Sequence, residues 1–303
     1  MPDIIAIGEA MVELNQPTAG APYAPGFGGD TSNAMIAAAR AGASTGYCSA
    51  VGDDPFGRSL LALWRDEGVE AAHVRVVPGA PTGVYFVAHG PDGHEFSYLR
   101  AGSAASRMTP ADLPGDAIRS ARILHASGIS QAISPNAADA VFAAIDHARA
   151  ANILVSYDTN LRLRLWPLAR ARAIMHEAMR GADIALPGLD DATQLTGLAD
   201  PDAIADFYLN LGPKIVALTL GRHGALVATP EWRERIAAKP VAAIDATGAG
   251  DAFDGNFLAD YLAGGDPFAA ARFANAAAAL STLGYGAIAP LPRRAATLAM
   301  MGA

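Results

Sequence analysis

The chain has 303 residues, of which 51% are hydrophobic and 17% charged, a composition typical of a globular protein with a sizeable core. Its formal net charge is −8 and its only lysines are Lys214 and Lys239, which excludes non-specific nucleic-acid binding because that requires a basic face. No apolar run reaches the ~20 residues that a membrane span requires. The single cysteine, Cys48, excludes an internal disulfide framework. The first residues lead directly into a strand-like segment, unlike a signal peptide. We therefore expect a soluble cytoplasmic protein without a signal peptide.

Short apolar runs alternate with helix-like segments along most of the chain. The runs predicted to be buried strands are residues 4–8, 46–51, 123–126, 153–157, 184–186 and 215–219. The predicted helices are residues 32–42, 56–67, 136–150, 168–180, 201–211, 251–263 and 267–283. This alternation predicts an α/β fold in one domain, residues 1–303, with a parallel sheet covered by helices on both faces. Ligands of such sheets bind at the carboxyl ends of the strands.

Two stretches, residues 10–27 and 80–100, break the alternation and have the pattern of β-hairpins. In the second stretch, residues 82–88 and 94–99 flank the turn signal Pro91-Asp92-Gly93. We predict a small sheet inserted into the main domain as a lid over a cleft; ordinary surface hairpins are the alternative that periodicity leaves open. Because exposed sheet edges invite pairing, the lid is also the predicted contact of a homo-oligomer.

A pair of glycines precedes the first predicted helix, in the segment 27–33. Glycine lets the backbone approach a small polar ligand closely, and Asp30 and Asn33 can bind the hydroxyls of that ligand by directional hydrogen bonds. The alternative is that the Asp, Thr and Ser of this segment only begin the helix, since all three are favoured N-cap residues.

Arginines follow two of the predicted strands. Arg100 ends the second hairpin, and Arg162 and Arg164 come shortly after the strand at 153–157. Two arginines in one pocket predict an anionic ligand such as a carboxylated sugar, because buried cations need partners. Ion pairing of Arg162 or Arg164 with Asp158 or with a helix end is the alternative.

A strand that ends in a G-x-x-G turn is predicted at residues 215–224. Thr219, Gly221 and Gly224 are candidates for the approach of a nucleotide phosphate, with a tight β-turn as the equal alternative. Farther along the chain, Asn275 on an apolar helix can face adenine or serve as a structural amide. Tyr285, between two glycines, is a candidate substrate contact.

The most specific motif is the segment 245–251, Asp-Ala-Thr-Gly-Ala-Gly-Asp, followed at once by a helical run. Gly248 and Gly250 let a ligand approach the backbone, and the free N–H groups and positive dipole end of the helix converge there. With the carboxylate of Asp251 in the first turn, this pattern suits phosphoryl transfer to a hydroxyl. The alternative is an acidic residue that only complements the helix dipole. The segment is neither a Walker motif nor a dinucleotide fingerprint.

Five segments together resemble the PfkB, or ribokinase-like, carbohydrate kinases along essentially the full chain: residues 7–14, 26–31, 98–100, 160–166 and 245–251. The resemblance implies a ribokinase-like three-layer sandwich with a mostly parallel central sheet and a small inserted β-sheet lid. It also implies ATP-dependent phosphorylation of a primary hydroxyl, and the arginine-bearing segments point to a small sugar acid as the acceptor.

The resemblance also assigns roles to individual residues. Asp251 becomes the general base, and the N–H groups of Gly248, Ala249 and Gly250 form the anion hole. The implied sugar contacts are Gly29, Asp30, Asn33, Tyr85 and Tyr98 for hydroxyls, with Arg100 and Arg162 for the carboxylate. ATP is implied at Asn160, Arg162, Thr219, Gly221 and Gly224. An Asp with its ordinary pKa is ionised at neutral pH, so this chemistry requires no strongly raised pKa.

Metal handling is where the chain departs from the family pattern. Mg²⁺ is implied on the nucleotide phosphates, where it keeps several waters. Many members carry an N-x-x-E segment near the metal, whereas this chain has Gly188-Leu-Asp190-Asp191. That leaves Asp191 as an outer-shell partner of the metal. A monovalent cation such as K⁺ is further implied near the segment 245–251.

Three other functions stay open at this stage. A kinase of a neutral sugar such as fructose or ribose would leave the arginines without a partner. A non-catalytic sugar or nucleotide sensor on the same fold would have less use for Asp251 and its anion hole. A nucleoside kinase is the weakest alternative, because a nucleoside has no carboxylate.

Overall fold

The computed structural model describes residues 1–16, 18, 20–90 and 93–302. Its strands are β1 (Ile4–Ile7), β2 (Met11–Gln16), β3 (Ala24–Gly28), β4 (Thr45–Gly52), β5 (Val69–Glu70), β6 (Val74–Val77), β7 (Val84–Gly90), β8 (Gly93–Leu99), β9 (Ile123–Ser127), β10 (Leu154–Asp158), β11 (Ile184–Leu186), β12 (Ile215–Thr219), β13 (Ala225–Ala228) and β14 (Arg233–Ile236). Its helices are α1 (Asp30–Arg40), α2 (Pro55–Asp66), α3 (Gly115–Ser120), α4 (Gly128–Ala132), α5 (Pro135–Ala150), α6 (Leu168–Arg180), α7 (Leu189–Thr196), α8 (Pro201–Leu211), α9 (Ala249–Gly264), α10 (Pro267–Ser281) and α11 (Arg294–Met301).

The main sheet follows the order β14-β13-β12-β11-β10-β9-β1-β4-β5, with β6 pairing a further part of β4. Its strands run parallel from β12 to β5, whereas β13 runs antiparallel to both of its neighbours, β12 and β14. Neighbouring residues of β1 belong to opposite faces: Ile4 packs in one apolar cluster and Ile5 in the other, and neither is exposed. Strands buried on both faces read as continuous apolar runs, which is why the sequence revealed them.

All six predicted strands and all seven predicted helices are present, within a few residues of their predicted ends. The prediction missed β5, β6, β13 and β14, and it missed the short helices α3, α4, α7 and α11. These elements are two to eight residues long, too short to establish a period. Within the described residues, no helix has the length and apolarity that a bilayer crossing requires.

The two hairpin-like stretches form a separate four-stranded sheet in the order β3-β2-β7-β8, which we call the lid sheet. β2 and β7 pair in parallel, so the two hairpins lie side by side. The predicted inserted sheet is therefore confirmed. Pro91 and Asp92 of its predicted turn lie outside the described residues.

Helix α9 lies in the helical layer against α1 and α10. A Cβ at Gly255 would collide with the backbone oxygen of Ala34 and would meet Ala37, so the glycine lets α1 approach α9 closely. Because α9 is enclosed by other helices, it is apolar on nearly all sides. The polar residues that remain on it therefore require partners.

Arg40, the last residue of α1, connects three distant segments. Its guanidinium donates to both carboxylate oxygens of Glu67 at 2.8 and 2.7 Å, and to the carbonyls of Ile288 and Leu291 at 3.0 and 2.6 Å. Both side chains of the pair are largely buried. The hydrogen bond from Arg40 holds the pKa of Glu67 below its usual value. The pair thereby fixes the C-terminal loop against the N-terminal half of the chain.

We expect Arg40→Ala to destabilise the protein by about 2–4 kcal/mol, because it leaves Glu67 and two carbonyls without their donor. Urea unfolding followed by circular dichroism measures this loss. Arg58→Ala is the control: its ion pair with Asp53 is exposed, and its removal should cost less than about 0.5 kcal/mol. Equal small effects of both variants would contradict a structural role of Arg40.

Candidate active site

A cavity of about 570 Å³ lies between the carboxyl edge of the main sheet and the lid sheet. Residues at or just beyond the carboxyl ends of β1, β9, β10, β11 and β12 contribute to its wall: Glu9, Ser130, Asn160, Gly188 and Thr219. The N-terminus of α9 and the lid close the remaining sides. The cavity therefore occupies the edge at which parallel α/β sheets bind ligands.

The N-terminus of α9 presents free amide groups to this cavity. Gly248 caps the helix with φ 74°, and a side chain there would meet Ala287. The N–H groups of Gly248, Gly250 and Asp251 donate to no acceptor among the described residues. The N–H of Ala249 is not available as predicted, because it donates to the carbonyl of Ala246 at 3.1 Å. Asp251 supplies the third free amide in its place.

The carboxylate of Asp251 lies beside these amides. Its Oδ2 accepts a hydrogen bond of 2.8 Å from the amide of Asn33, which comes from α1. Burial raises the pKa of Asp251 to about 7, with a further contribution from the negative charge of Asp30, while Asn33 and Arg162 oppose the rise. The chemistry does not require a raised pKa, but burial at this position imposes one. Asn33 contacts this carboxylate through its amide nitrogen, whereas its Oδ1 has no hydrogen-bond partner among the described residues.

Asp30 and Asn160 meet across the cavity floor. The amide of Asn160 donates to Oδ2 of Asp30 at 2.7 Å, and Asn160 has a φ of 30°, a value that Asn tolerates better than most residues. Gly29 takes the N-cap position with φ 126°, because a Cβ there would collide with the backbone at Glu9. Asp30 therefore does not cap α1, and its carboxylate faces the cavity.

Arg100 is already paired inside the protein. Its Nη2 lies 2.5 Å from the carboxylate of Glu9, its Nε donates to the same oxygen at 2.8 Å, and Ser103 donates to the other oxygen. Both charged side chains are buried, at 10% and 1% exposure. Arg100 thus has a protein partner while it also lines the cavity, and its role toward a sugar carboxylate stays a prediction.

Arg162 and Arg164 differ from Arg100. Both line the cavity, both are exposed, and neither has a carboxylate within ion-pair distance among the described residues. Arg162 donates to the carbonyl of Leu161, and Arg164 donates to the carbonyl of Phe96 in the lid sheet at 3.4 Å. The alternative of a pair with Asp158 is thus not observed for either residue.

The lid sheet contributes aromatic rings to the cavity. Tyr85 stacks on Tyr98 with ring centroids 5.7 Å apart, and Phe96 stacks on Tyr98 at 6.3 Å. The hydroxyl of Tyr85 donates to Glu13, and burial, reinforced by this carboxylate, raises the pKa of Tyr85. The hydroxyl of Tyr85 is thus held by a protein partner.

Asp191 lines the cavity from the first turn of α7. Its Oδ2 accepts a hydrogen bond of 2.8 Å from the backbone N–H of Leu161, whereas its Oδ1 accepts none from the described residues. Burial raises its pKa. The described part of the chain contains no preformed cluster of three metal-ligating side chains. Asp191 thus keeps one carboxylate oxygen at the cavity without a donor among the described residues.

The sequence reasoning missed three carboxylates that line the cavity: Glu9, Asp158 and Asp254. Asp254 follows Asp251 by one helical turn and is buried, and its side chain is hydrogen-bonded to that of Asp158. Burial raises the pKa of both groups. The spacing Asp251 and Asp254 on an apolar helix was the available signal, because i and i+3 share a face.

Several predicted nucleotide or substrate contacts lie outside this cavity wall, although Thr219 is part of it. At Gly224 a Cβ would collide with the carbonyl of Ile236, so a tight turn accounts for this glycine. Gly221 opens a short 3₁₀ turn. Asn275 is buried and donates to the carbonyl of Ile236 at 3.1 Å, as a structural amide does. Tyr285 is 74% exposed and borders a second cavity, of about 640 Å³.

This geometry assigns the chain to a class. Free amides can hold the charge of a moving phosphoryl group while the neighbouring carboxylate takes a hydroxyl proton. The protein is accordingly a phosphotransferase with an alcohol group as acceptor.

Comparison with known proteins agrees that the chain is a phosphotransferase and identifies its family. Residues 1–294 match the model of the pfkB family carbohydrate kinase. The chain is 38% identical to a 2-dehydro-3-deoxygluconokinase of Thermoproteus tenax, over 98% of this chain and 94% of that protein. It is 33% identical to fructokinase-2 of Solanum habrochaites, over 98% and 95%.

A solved structure is similar over nearly the same length. It is a double-mutant fructokinase of Vibrio cholerae with fructose, ADP and a potassium ion, at 30% identity and a TM-score of 0.89, over 99% of this chain and 98% of that one. The chain belongs to the pfkB family of carbohydrate kinases, and it is a sugar kinase with the ribokinase-like fold.

Because burial raises the pKa of Asp251, we expect its ionised carboxylate to lower the free energy of unfolding. The folded protein binds the proton more tightly than the unfolded chain, so stability falls as pH rises through about 7. We expect Asp251→Asn to be more stable than the wild type at pH 8, by on the order of a few kcal/mol, and the difference to vanish near pH 4. Thermal unfolding across this pH range measures it. Asp190→Asn, at an exposed position, is the control and should change little.

Proposed function

We propose that the protein phosphorylates the 6-hydroxyl of 2-keto-3-deoxygluconate with ATP, which is the activity of a 2-dehydro-3-deoxygluconokinase. The observation that carries the reaction is the Asp251 carboxylate beside three free amides at the start of α9. Two observations favour an acidic acceptor. One is the 38% identity to the Thermoproteus tenax enzyme, and the other is the exposed guanidinium of Arg162 on the cavity wall, which forms no salt bridge among the described residues.

In this proposal Asp251 acts as the general base. It takes the proton of the 6-hydroxyl while that oxygen forms its bond to the γ-phosphorus of ATP, and the bond from the γ-phosphorus to ADP breaks. The N–H groups of Gly248, Gly250 and Asp251 hold the charge on the moving phosphoryl group. Asn33 orients the carboxylate through its 2.8 Å hydrogen bond.

The sugar is proposed to lie between α1 and the lid sheet. Gly29, Asp30 and Asn160 would bind its hydroxyls from the floor, and Tyr85 and Tyr98 would cover it from the lid. Closure excludes water, which would otherwise compete for the γ-phosphoryl group. Arg100 and Arg162 would hold the carboxylate of the sugar, since both line the cavity, and Glu9 would orient Arg100 through their ion pair.

ATP is proposed to enter along Thr219, Gly188 and the start of α9. Mg²⁺ bound to its phosphates would lower their negative charge, and the free Oδ1 of Asp191 fits an outer-shell contact to it. The potassium ion of the Vibrio cholerae fructokinase supports a monovalent cation near the segment 245–251. Roles of Gly221, Gly224, Asn275 and Tyr285 toward ligands find no support in their positions.

A fructokinase-like activity is the second candidate, because fructokinases match nearly the full chain at 33% identity. Cytoplasmic location and a homo-oligomer formed through the edges of the lid sheet stay predictions from the sequence.

Asp251→Asn should lower kcat by about 10²–10⁴-fold and leave the affinities for sugar and ATP near those of the wild type, because the variant keeps the shape but cannot accept the proton. A coupled ADP-release assay with calorimetric binding measures both. In the wild type, kcat/KM should decline as pH falls through about 7, since only the ionised carboxylate is the base. A kcat of the variant within tenfold of the wild-type value would contradict the role of Asp251 as the general base.

The substrate is decided by the same assay with 2-keto-3-deoxygluconate, fructose, ribose and adenosine at matched concentrations. We expect kcat/KM for the acidic sugar to exceed the others by at least about a hundredfold, because only it offers a carboxylate to Arg162. A preference for fructose would replace the proposed substrate and keep the base. ATP binding without turnover of any sugar would favour a sensor.

A further inference from the structure

Asp254 and Asp158 form a carboxyl pair in the cavity wall that takes no part in the proposed reaction. Asp254 is 3% exposed and lies one helical turn after Asp251 on α9, and Asp158 is the last residue of β10. Their side chains are hydrogen-bonded to each other. An ionised carboxylate can only accept a hydrogen bond, so one of the two groups must carry a proton. The contact itself therefore indicates that the pair holds one proton.

The surroundings of the pair favour this proton. Burial raises the pKa of both carboxyl groups, and neighbouring negative charges raise it further. The titratable groups that act on the pair are Asp30 of α1, Asp191 of α7, Asp251 of α9, Tyr157 of β10 and Tyr208 of α8. The guanidinium of Arg162 opposes the rise in pKa at Asp191 and Asp251. The strand neighbours of Asp158 are uncharged, namely Ser127 of β9 and Leu186 of β11. A second negative charge on the pair would thus be buried among like charges.

The pair joins the loop after β10 to helix α9. Asp158 also accepts a hydrogen bond of 3.0 Å from the backbone N–H of Asn160, at the start of this loop. Asn160 has a φ of 30° and donates to Asp30 at 2.7 Å, so the loop has a conformation that its surroundings must support. Asp254 belongs to the helix that begins with the free amides and Asp251. The shared proton therefore connects two walls of the cavity.

Loss of the proton would reverse this contact. Two ionised carboxylates side by side repel each other, and no hydrogen remains between them. Strand β10 and helix α9 are packed in the interior, whereas residues 162–164 of the loop after β10 are exposed. The loop is therefore the part that yields, and its displacement would shift Asn160 and Asp30 relative to Asp251.

We propose that Asp254 is a positioning residue: it shares one proton with Asp158, and this bond holds the loop after β10 against α9 in the conformation that supports phosphoryl transfer. Asp254 acts through Asp158 and the loop, not as an acid or a base toward the substrate. The inference rests on the proposed function for the role of Asp251, but it applies to any sugar that the cavity accepts. It gives the activity an upper pH limit, in addition to the lower limit set by Asp251.

The pH dependence of kcat/KM between about pH 6 and 10 tests the role of the proton. We expect kcat/KM of the wild type to decline on the alkaline side, because the pair ionises there. In Asp254→Asn the amide donates to Asp158 and cannot ionise. Its kcat/KM at the optimum should stay within about threefold of the wild-type value, and the alkaline decline should disappear. Asp254→Ala leaves Asp158 without this donor and should lower kcat/KM at least about tenfold throughout the range.

Two further sets of variants make this result specific. In the reciprocal variant Asp158→Asn the amide donates to Asp254, so this variant should also lose the alkaline decline; it carries the test if circular dichroism shows that Asp254→Asn is unfolded. Asp139 of α5 is exposed and outside the cavity wall, so Asp139→Asn and Asp139→Ala should both follow the wild type. A wild type without an alkaline decline, a decline that the Asn variants retain, or equal kcat/KM of Asp254→Asn and Asp254→Ala overturns the inference.

Infrared spectroscopy detects the proton without turnover and separates this inference from the proposed function. At pH 8.5, Asp251 is largely ionised because its pKa is about 7. We expect the difference spectrum of wild type minus Asp254→Asn to contain the C=O stretch of a protonated carboxyl group at this pH. If this band is present but 2-keto-3-deoxygluconate is not phosphorylated, the proposed function fails and the shared proton stands. Absence of the band from an active wild type overturns the inference and leaves the proposed function intact.

Discussion

The close approach of α1 and α9 is the constraint on which the site depends. Asn33 and Asp251 lie 218 positions apart in the chain, and their hydrogen bond forms only because the two helices nearly touch. Gly255 permits this approach, since any side chain there would collide with the carbonyl of Ala34. In a close-packed interior the helices cannot separate by the width of a methyl group without moving everything attached to them. Asp30, at the start of α1, keeps its place beside Asp251 for the same reason.

The same packing imposes an energetic conflict. Five aspartates and Glu9 line one cavity, and burial raises the pKa of Asp158, Asp191, Asp251 and Asp254. Ionised groups held away from water and close to one another destabilise the fold. The unusual φ of Asn160 adds local strain at the same place. Such features persist where the rest of the structure is stable enough to support them, and here both apolar clusters of the main sheet do so.

The features of the fold that could be predicted from the sequence are those that depend on local patterns of residues. Buried parallel strands, long helices and the glycine-rich turn at 245–251 each carry their signal within a dozen residues, and all are present. The pairing of Arg100 with Glu9 joins residues 91 positions apart, and no local pattern distinguishes a paired arginine from a free one. The engaged N–H of Ala249 and the raised pKa of Asp251 likewise depend on the folded backbone and on neighbouring charges. The sequence thus indicated which residues could bind ligands or transfer protons, but it did not indicate which residues they contact in the folded protein.

The contacts of Arg40 have a consequence for how the protein is made. Its guanidinium needs the carbonyls of Ile288 and Leu291, which are synthesised 248 and 251 residues later, and the cavity wall itself extends from Glu9 to Ala287. A nascent chain can form β1, α1 and β4 early. Its cavity edge stays open, and the end of α1 stays without its carbonyl partners, until residues 287–291 have left the ribosome. At about 5–20 residues per second that interval lasts on the order of ten seconds or more. The site can therefore be completed only after Leu291 has been synthesised.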